Sequence, residues 1–125
     1  MRLLLDAHAL LWWLADDPAL GEVARGAIAD PANDILVSAG TVWEIAIKRR
    51  LGKLDAPGNL VEVLDELGFE EVPITGVDGQ RAAGLEAHHR DPFDRILVAQ
   101  AARVDAVVVT RDEMFDSYGA KTLRA

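Results

Sequence analysis

The chain has 125 residues, half of them hydrophobic, which predicts a single domain over residues 1–125 with a substantial core. It contains no cysteine, which excludes disulfides and thiolate metal sites and fits a reducing cytoplasm. Its 13 basic and 21 acidic residues give a formal charge of −8, which counts against a protein that binds nucleic acid through bulk charge alone.

Membrane attachment is not expected from the hydrophobic pattern. No apolar run approaches the roughly 20 residues that a membrane-spanning helix needs. The N-terminus lacks the order of basic end, apolar stretch and small-residue cleavage site that marks a signal peptide. The expected location is therefore the cytoplasm, with no membrane partner.

Short apolar runs alternate with helical patterns along the chain. The predicted strands are Arg2–Leu5, Ile35–Val37 ending at Ser38, Glu70–Ile74, Ala106–Thr110 and Ala120–Leu123. The predicted helices are His8–Leu14, Ala19–Ala29, a helix from Ala39 to shortly before Gly52, Asn59–Leu67, Thr75–Ala87, Pro92–Arg103 and Glu113–Ser117. This alternation predicts an α/β fold with a mainly parallel sheet.

Acidic residues occupy corresponding places in these elements. Asp6 follows the first strand and Asp112 follows the strand that ends at Thr110, while Glu44 and Asp94 lie early in two helices. The carboxyl ends of parallel strands and the starts of the following helices face one crevice. Carboxylates crowded there repel one another unless cations neutralise them, and Mg²⁺ and Mn²⁺ suit oxygen ligands. The pattern is typical of metal-assisted phosphodiester cleavage.

Each acid also has a purely local interpretation. Asp6 and Asp112 would cap the helices that follow them, and Asp91 and Asp94 would form a reciprocal cap with Pro92 at the first helical position. Glu44 would pair with Lys48 one turn later, a contact worth only a few tenths of a kcal/mol. Taken singly, each of these alternatives explains its acid at least as well as a metal site does, but four coincident caps at one sheet edge are less convincing.

Other residues give weaker signals. His8 and the pair His88-His89 near acids raise the alternative of a zinc site, although the spacing is loose and no cysteine helps. The basic cluster Lys48-Arg49-Arg50 with Lys53 is interpreted as a helix C-terminus in preference to a phosphate contact. Trp12-Trp13 is more typical of core packing than of base stacking, with one of the two rings partly exposed.

Taken in order, the motifs become specific. Leu3-Leu4-Leu5-Asp6, Val37-Ser38-Ala39-Gly40-Thr41-Val42-Trp43-Glu44-Ile45, Asp91-Pro92-Phe93-Asp94-Arg95-Ile96-Leu97 and Val109-Thr110-Arg111-Asp112 together resemble the PIN-domain family. The resemblance covers nearly the whole chain. It is greatest to the VapC toxins of bacterial type II toxin–antitoxin pairs.

The resemblance implies a three-layer α/β/α fold and a ribonuclease that uses one or two Mg²⁺ or Mn²⁺ ions. It assigns the catalytic and metal-binding role to Asp6, Glu44, Asp94 and Asp112, and a supporting role to Ser38, Thr110 and Asp91. It also implies an RNA substrate, a cognate antitoxin whose helix lies in a groove walled by His8–Leu14, and a homodimer. The family often has Thr or Ser after the first Asp, where this chain has Ala7.

Competing functions fit less well. A haloacid dehalogenase-type phosphatase needs a second acid two residues after the first, where this chain has His8. A receiver domain needs an acidic pair before its phosphorylated Asp and a Lys after a late strand, and neither is evident in this sequence. The main non-enzymatic alternative is a catalytically silent PIN-like scaffold that binds a protein partner, which loss of an acid would favour, yet all four acids are present.

Overall fold

Five parallel strands form the central sheet in the part of the chain that the computed structural model describes, residues 1–87 and 91–125. They are β1 Arg2–Leu5, β2 Asp34–Ser38, β3 Glu70–Val72, β4 Val107–Thr110 and β5 Thr122–Arg124. The strand order is β3-β2-β1-β4-β5. The predicted α/β fold with a parallel sheet is confirmed, and β1 lies at its centre.

The helices lie between the strands in sequence. They are α1 Ala7–Leu14, α2 Glu22–Ala29, α3 Ala39–Arg50, α4 Leu60–Leu67, α5 Gly76–Gly84, α6 Pro92–Val104 and α7 Met114–Ser117. Within residues 1–87 and 91–125, no helix is both long and apolar enough to cross a bilayer.

The sheet is buried on both faces, as a parallel sheet between helical layers must be. Leu3 and Leu5 point to one face and pack with Ile28 and Ile45, whereas Leu4 points to the other. On that second face it packs with residues of α6 and α7, namely Leu97, Val98, Ala101 and Phe115. The alternation along β1 thus divides the core in two and confirms the three-layer arrangement.

One predicted helix start was wrong. The second helix begins at Glu22 rather than Ala19, because the Asp17 carboxylate accepts a hydrogen bond from the Ala19 amide and holds a turn there. α4 begins at Leu60 with Asn59 at the N-cap position, in agreement with the predicted start, but the Asn59 side chain makes no capping hydrogen bond. The Asn59 backbone has φ −104° and ψ 44°, outside the extended region from which a cap side chain reaches the first turn.

Other boundaries differ by a few residues. α5 ends at Gly84 instead of Ala87, and the Arg95 guanidinium binds the carbonyl groups released there. The last strand begins at Thr122 rather than Ala120, because the Ala120 amide still donates to the Phe115 carbonyl in the preceding turn. β3 is an edge strand of the sheet, and it ends at Val72, before Pro73, rather than at Ile74.

Candidate active site at the carboxyl edge of the sheet

Asp6 lies where the central strand β1 ends and α1 begins. Its side chain is buried, and Oδ1 accepts a hydrogen bond from the Ala9 amide at 2.9 Å, so the predicted helix cap is present. Oδ2 accepts a 2.6 Å hydrogen bond from the Thr110 hydroxyl. Burial raises the pKa of Asp6, the Thr110 and Ala9 hydrogen bonds and the charge on His8 oppose that rise, and Glu44 adds to it.

Thr110 joins the ends of β1 and β4. Leu5 is in register with Val109, and the Asp6 amide donates to the Val109 carbonyl, so Asp6 lies beside Thr110 across the strand pair. The Thr110 hydroxyl donates to Asp6 and accepts from the Asp112 amide at 3.0 Å. One buried hydroxyl therefore connects the Asp6 carboxylate to the backbone of Asp112.

Asp112 is half-buried just beyond β4. Its Oδ1 accepts a 2.9 Å hydrogen bond from the amide of Met114, the first residue of α7, although the N-cap position of that helix is Glu113 rather than Asp112 as predicted. Asp116, the extra acid of this region, is exposed and accepts a hydrogen bond from the Thr122 hydroxyl. Asp112 thus has both a local contact and a link to Asp6 through Thr110.

Glu44 is presented by α3, whose N-terminus is fixed by Ser38. The fully buried Ser38 hydroxyl oxygen accepts from the Gly40 amide at 3.0 Å and so caps the start of α3. Glu44 lies in the second turn, is 7 % exposed, and its Oε2 is 2.7 Å from the Lys48 ammonium. This ion pair raises the pKa of Lys48.

Asp91 and Asp94 lie at the start of α6. Asp91 Oδ1 accepts from the Phe93 amide at 2.9 Å, with Pro92 at the first helical position as predicted. Asp94 is half-buried in the first turn. The negative charges of both acids also raise the pKa of Lys48, so α6 brings them into electrostatic range of the ammonium on α3.

Arg95 makes a structural contribution beside the candidate site that the sequence did not indicate. Its guanidinium donates to the carbonyls of Ala82, Ala83, Leu85 and Glu86 and so ties the segment after α5 to the start of α6. Acceptors that belong to the backbone leave no mark in the residue pattern. His88 and His89, part of the zinc alternative, lie outside the described residues.

The acids thus form two linked groups. Asp6 connects to Asp112 through Thr110, and Asp6 and Glu44 interact electrostatically. The Lys48 ammonium is bonded to Glu44 and lies within electrostatic range of Asp91 and Asp94. In the described parts of the chain, no three histidine, aspartate or glutamate side chains lie close enough together to hold one ion.

The donor set nevertheless fits a hard divalent cation in its chemistry. The acids at this edge offer carboxylate oxygens, the ligands that Mg²⁺ and Mn²⁺ prefer, and the chain has no cysteine thiolate. Glu44 already binds a cation, the Lys48 ammonium. Burial of Asp6 beside Glu44 disfavours its ionised form, and a bound cation reverses that preference.

Comparison with known proteins gives a consistent result. The sequence matches the family described as the PIN domain over residues 3–121. Comparison with curated proteins finds no match.

Solved structures share the fold over nearly their full length. FitAcB from Neisseria gonorrhoeae is 23% identical, with a TM-score of 0.67, and the match covers 98% of this chain and 96% of that one. VapBC2 from Rickettsia felis, solved with a DNA fragment from its promoter, is 14% identical with a TM-score of 0.69 and 98% coverage of both chains. VapBC-1 from nontypeable Haemophilus influenzae is 14% identical with a TM-score of 0.69, covering 98% of this chain and 97% of that one.

Proposed function

Because the chain belongs to the PIN-domain family, whose members are generally nucleases, we propose that it is a metal-dependent endoribonuclease and the toxin of a type II toxin–antitoxin pair. The observation that carries the proposal is the Asp6–Thr110–Asp112 connection at the sheet edge, with Glu44 in electrostatic range of Asp6. The similarity to VapBC and FitAB complexes supports the toxin–antitoxin part.

In this proposal Asp6 and Asp94 are the principal ligands of one or two Mg²⁺ or Mn²⁺ ions, and Glu44 and Asp112 complete the set. Such ions, when bound, lower the pKa of a water and neutralise charge at the scissile phosphate. The Thr110 hydroxyl fixes the Asp6 carboxylate, and the Ser38 cap fixes the helix that carries Glu44. Asp91 supports Asp94 by capping α6.

A protein partner fits a groove beside α1. Leu11 and Leu14 form one wall, and Leu54, Ala56 and Pro57 form the other, enclosing about 540 Å³. An apolar helix face laid into such a groove is a common mode of recognition. The charge of −8 favours a cationic partner. We assign this groove to the antitoxin.

The proposed homodimer has an apolar surface available on α3. Trp43, Ile47 and Leu51 follow one another at intervals of four residues and are exposed, Trp43 by 62%. Trp43 also makes an edge contact with Phe93 at 5.5 Å between ring centroids. Sedimentation equilibrium of the wild-type protein and Ile47→Glu tests this assignment, which predicts a dimer for the wild type and a monomer for the variant.

RNA cleavage by the purified protein tests the nuclease proposal. The assay compares Mg²⁺, Mn²⁺ and EDTA on structured RNA and on single-stranded DNA. Asp94→Ala is the test variant, and Asp65→Ala, an exposed acid on α4, is the matched control. We expect metal-dependent cleavage of RNA that disappears in Asp94→Ala and persists in Asp65→Ala.

One observation favours the second candidate, a scaffold that binds a partner without cleaving. Each of Asp6, Asp91 and Asp112 already caps a helix or turn, and Glu44 pairs with Lys48. No cleavage of any RNA, together with a melting temperature that Mg²⁺ and Mn²⁺ leave unchanged, would establish the scaffold instead.

A further inference from the structure

Lys48 is the basic side chain that α3 directs at the acids. It lies one turn after Glu44, with its ammonium 2.7 Å from Glu44 Oε2. The Glu44 side chain is 9 % exposed and that of Lys48 41 %, so the bond lies at the mouth of the crevice and is partly shielded from water.

The neighbouring arginine points elsewhere. Arg49 Nε donates to the Ala56 carbonyl at 3.0 Å, and its guanidinium lies against Gly58. The basic cluster at the end of α3 is therefore not one uniform surface patch. Its first member faces the acids, and its second member holds the loop that follows the helix.

Acids from a second helix face the same ammonium. Asp91 and Asp94 at the start of α6 lie within electrostatic range of Lys48, in addition to Glu44 on its own helix. The ordinary i,i+4 pair is solvated and weak. Here, by contrast, the positive charge of one lysine partly offsets the negative charges of acids on two helices. A bound metal ion would have the same effect.

We propose that Lys48 is a built-in counter-ion that competes with the divalent cation for Glu44 and so weakens metal binding. The inference rests on the proposed function, since it requires a metal at these acids. An ammonium hydrogen-bonded to a carboxylate occupies part of that ligand, and it repels a doubly charged ion at the neighbouring carboxylates. Lys48 keeps the acids partly neutralised in the metal-free protein, and the ion binds against that positive charge.

Other roles for Lys48 predict a different change in metal affinity when its charge is removed. If Lys48 served to hold Glu44 in the geometry of a ligand, its removal would weaken metal binding. If it contacted only the RNA phosphates, its removal would slow cleavage without changing metal affinity. The sign of the change in affinity therefore separates the three roles.

Calorimetric titration of Mn²⁺ into metal-free protein, without RNA, tests the proposal. Lys48→Met and Lys48→Gln remove the charge, and Lys48→Arg keeps it. Lys121→Met is the matched control, because Lys121 pairs with Asp105 at the C-terminal end of α6, about 16 Å along the helix from Asp94. Circular dichroism in EDTA checks that each variant is folded.

We expect Lys48→Met and Lys48→Gln to bind Mn²⁺ roughly fivefold to tenfold more tightly than the wild-type protein, from the repulsion that is removed. Lys48→Arg and Lys121→Met should stay within about twofold of it. Thermal melting should agree, with a larger rise per Mn²⁺ addition in Lys48→Met. Should Lys48→Met fail to fold, Lys48→Gln, which keeps a hydrogen-bond donor, carries the test.

The results that would contradict the role of Lys48 differ from those that would also contradict the proposed function. Wild-type binding that Lys48→Met and Lys48→Gln leave unchanged or weaken would overturn this inference alone. Asp6→Asn, run in parallel, should lose the binding if the proposed site holds the metal. A wild-type protein that binds no Mn²⁺ would overturn both the inference and the proposed function.

Discussion

Asp6 combines burial with hydrogen bonds that stabilise its charge. Burial raises the pKa of its carboxyl, and the Thr110 and Ala9 hydrogen bonds only partly offset this. A carboxyl whose pKa is higher in the folded state than in the unfolded chain costs stability once it ionises. In the metal-free protein that cost is absent below the unfolded pKa and grows as the pH rises towards the folded value.

Asp6→Asn should therefore abolish RNA cleavage while leaving the metal-free protein at least as stable as the wild type at pH 7. The amide keeps an acceptor for one hydrogen bond and removes the buried charge. Calorimetric melting in EDTA from pH 4 to 7 checks this. The difference in melting temperature between the variant and the wild type should narrow towards pH 4. A variant that melts well below the wild type at pH 7 in EDTA would contradict the account of Asp6.

Thr110→Val should destabilise the protein by about 1.5–3 kcal/mol, the usual range for a hydrogen bond to a charged group. The substitution preserves shape and removes both the donor to Asp6 and the acceptor for the Asp112 amide. Urea denaturation measures the change, and RNA cleavage should fall with it. Thr110→Ser, which retains the hydroxyl, should restore most of both properties. Equal losses in the two variants would mean that the methyl group matters more than the bond.

The local contacts of single residues were largely predictable from the sequence. The caps by Asp6, Ser38 and Asp91 and the Glu44–Lys48 pair all follow from spacings of two to four residues. The approach of Lys48 to Asp91 and Asp94 was not predictable, because it depends on how α3 packs beside α6. Roles of the acids in catalysis stay predictions.

At the scale of elements, an ion pair between Asp78 and Arg103 joins α5 and α6, away from the acids of the proposed metal site. The Asp78 carboxylate is fully buried and receives two hydrogen bonds from Arg103, at 2.9 and 3.0 Å. Burial alone would raise the pKa of Asp78, but the hydrogen bonds from Arg103 and Thr75 outweigh it and hold the pKa below its usual value. Thr75 and Asp78 also form the capping box of α5.

The Asp78–Arg103 pair should make the wild-type protein lose stability in acid. A carboxyl with a lowered folded pKa contributes stability that is present above the unfolded value and lost as the pH falls through the folded value. Asp78→Asn should melt at a lower temperature than the wild type at pH 7, and the two should converge below about pH 4, the ordinary range for this side chain. Melting curves from pH 2 to 7 test this, and parallel curves would refute it.

Elements whose apolar pattern is strong were predicted almost to the residue. β1 has the predicted bounds, since three consecutive leucines between a charged start and Asp6 suit a strand buried on both faces. The predicted start of α3 directly after Ser38 agrees with the structure. Errors came where a side chain redirects the backbone, as Asp17 does before α2, or where a distant guanidinium ends a helix, as Arg95 does at α5.

For the whole molecule, the proposed metal site would make stability depend on divalent cations. A cation that binds the folded state of this chain, with its net charge of −8, and not the unfolded state would stabilise the fold. At a metal concentration 100 times the dissociation constant, binding adds about 2.7 kcal/mol to stability.

A saturating concentration of Mn²⁺ should accordingly raise the melting temperature of the wild-type protein, and Asp94→Ala should lose most of that rise. Potassium chloride at equal ionic strength is the control for general screening of the net charge. An equal rise in wild type and variant would place the metal elsewhere on the surface.

The location of the metal is the central claim, and diffraction from crystals soaked in Mn²⁺ tests it most directly. Anomalous scattering at the manganese edge marks the ion without reference to activity. The account predicts a peak at the carboxyl edge of the sheet, in contact with the carboxylates of Asp6 and Asp94 and close to Glu44 and Asp112. Manganese peaks only at other surface acids, or no peak at saturating Mn²⁺, would contradict it.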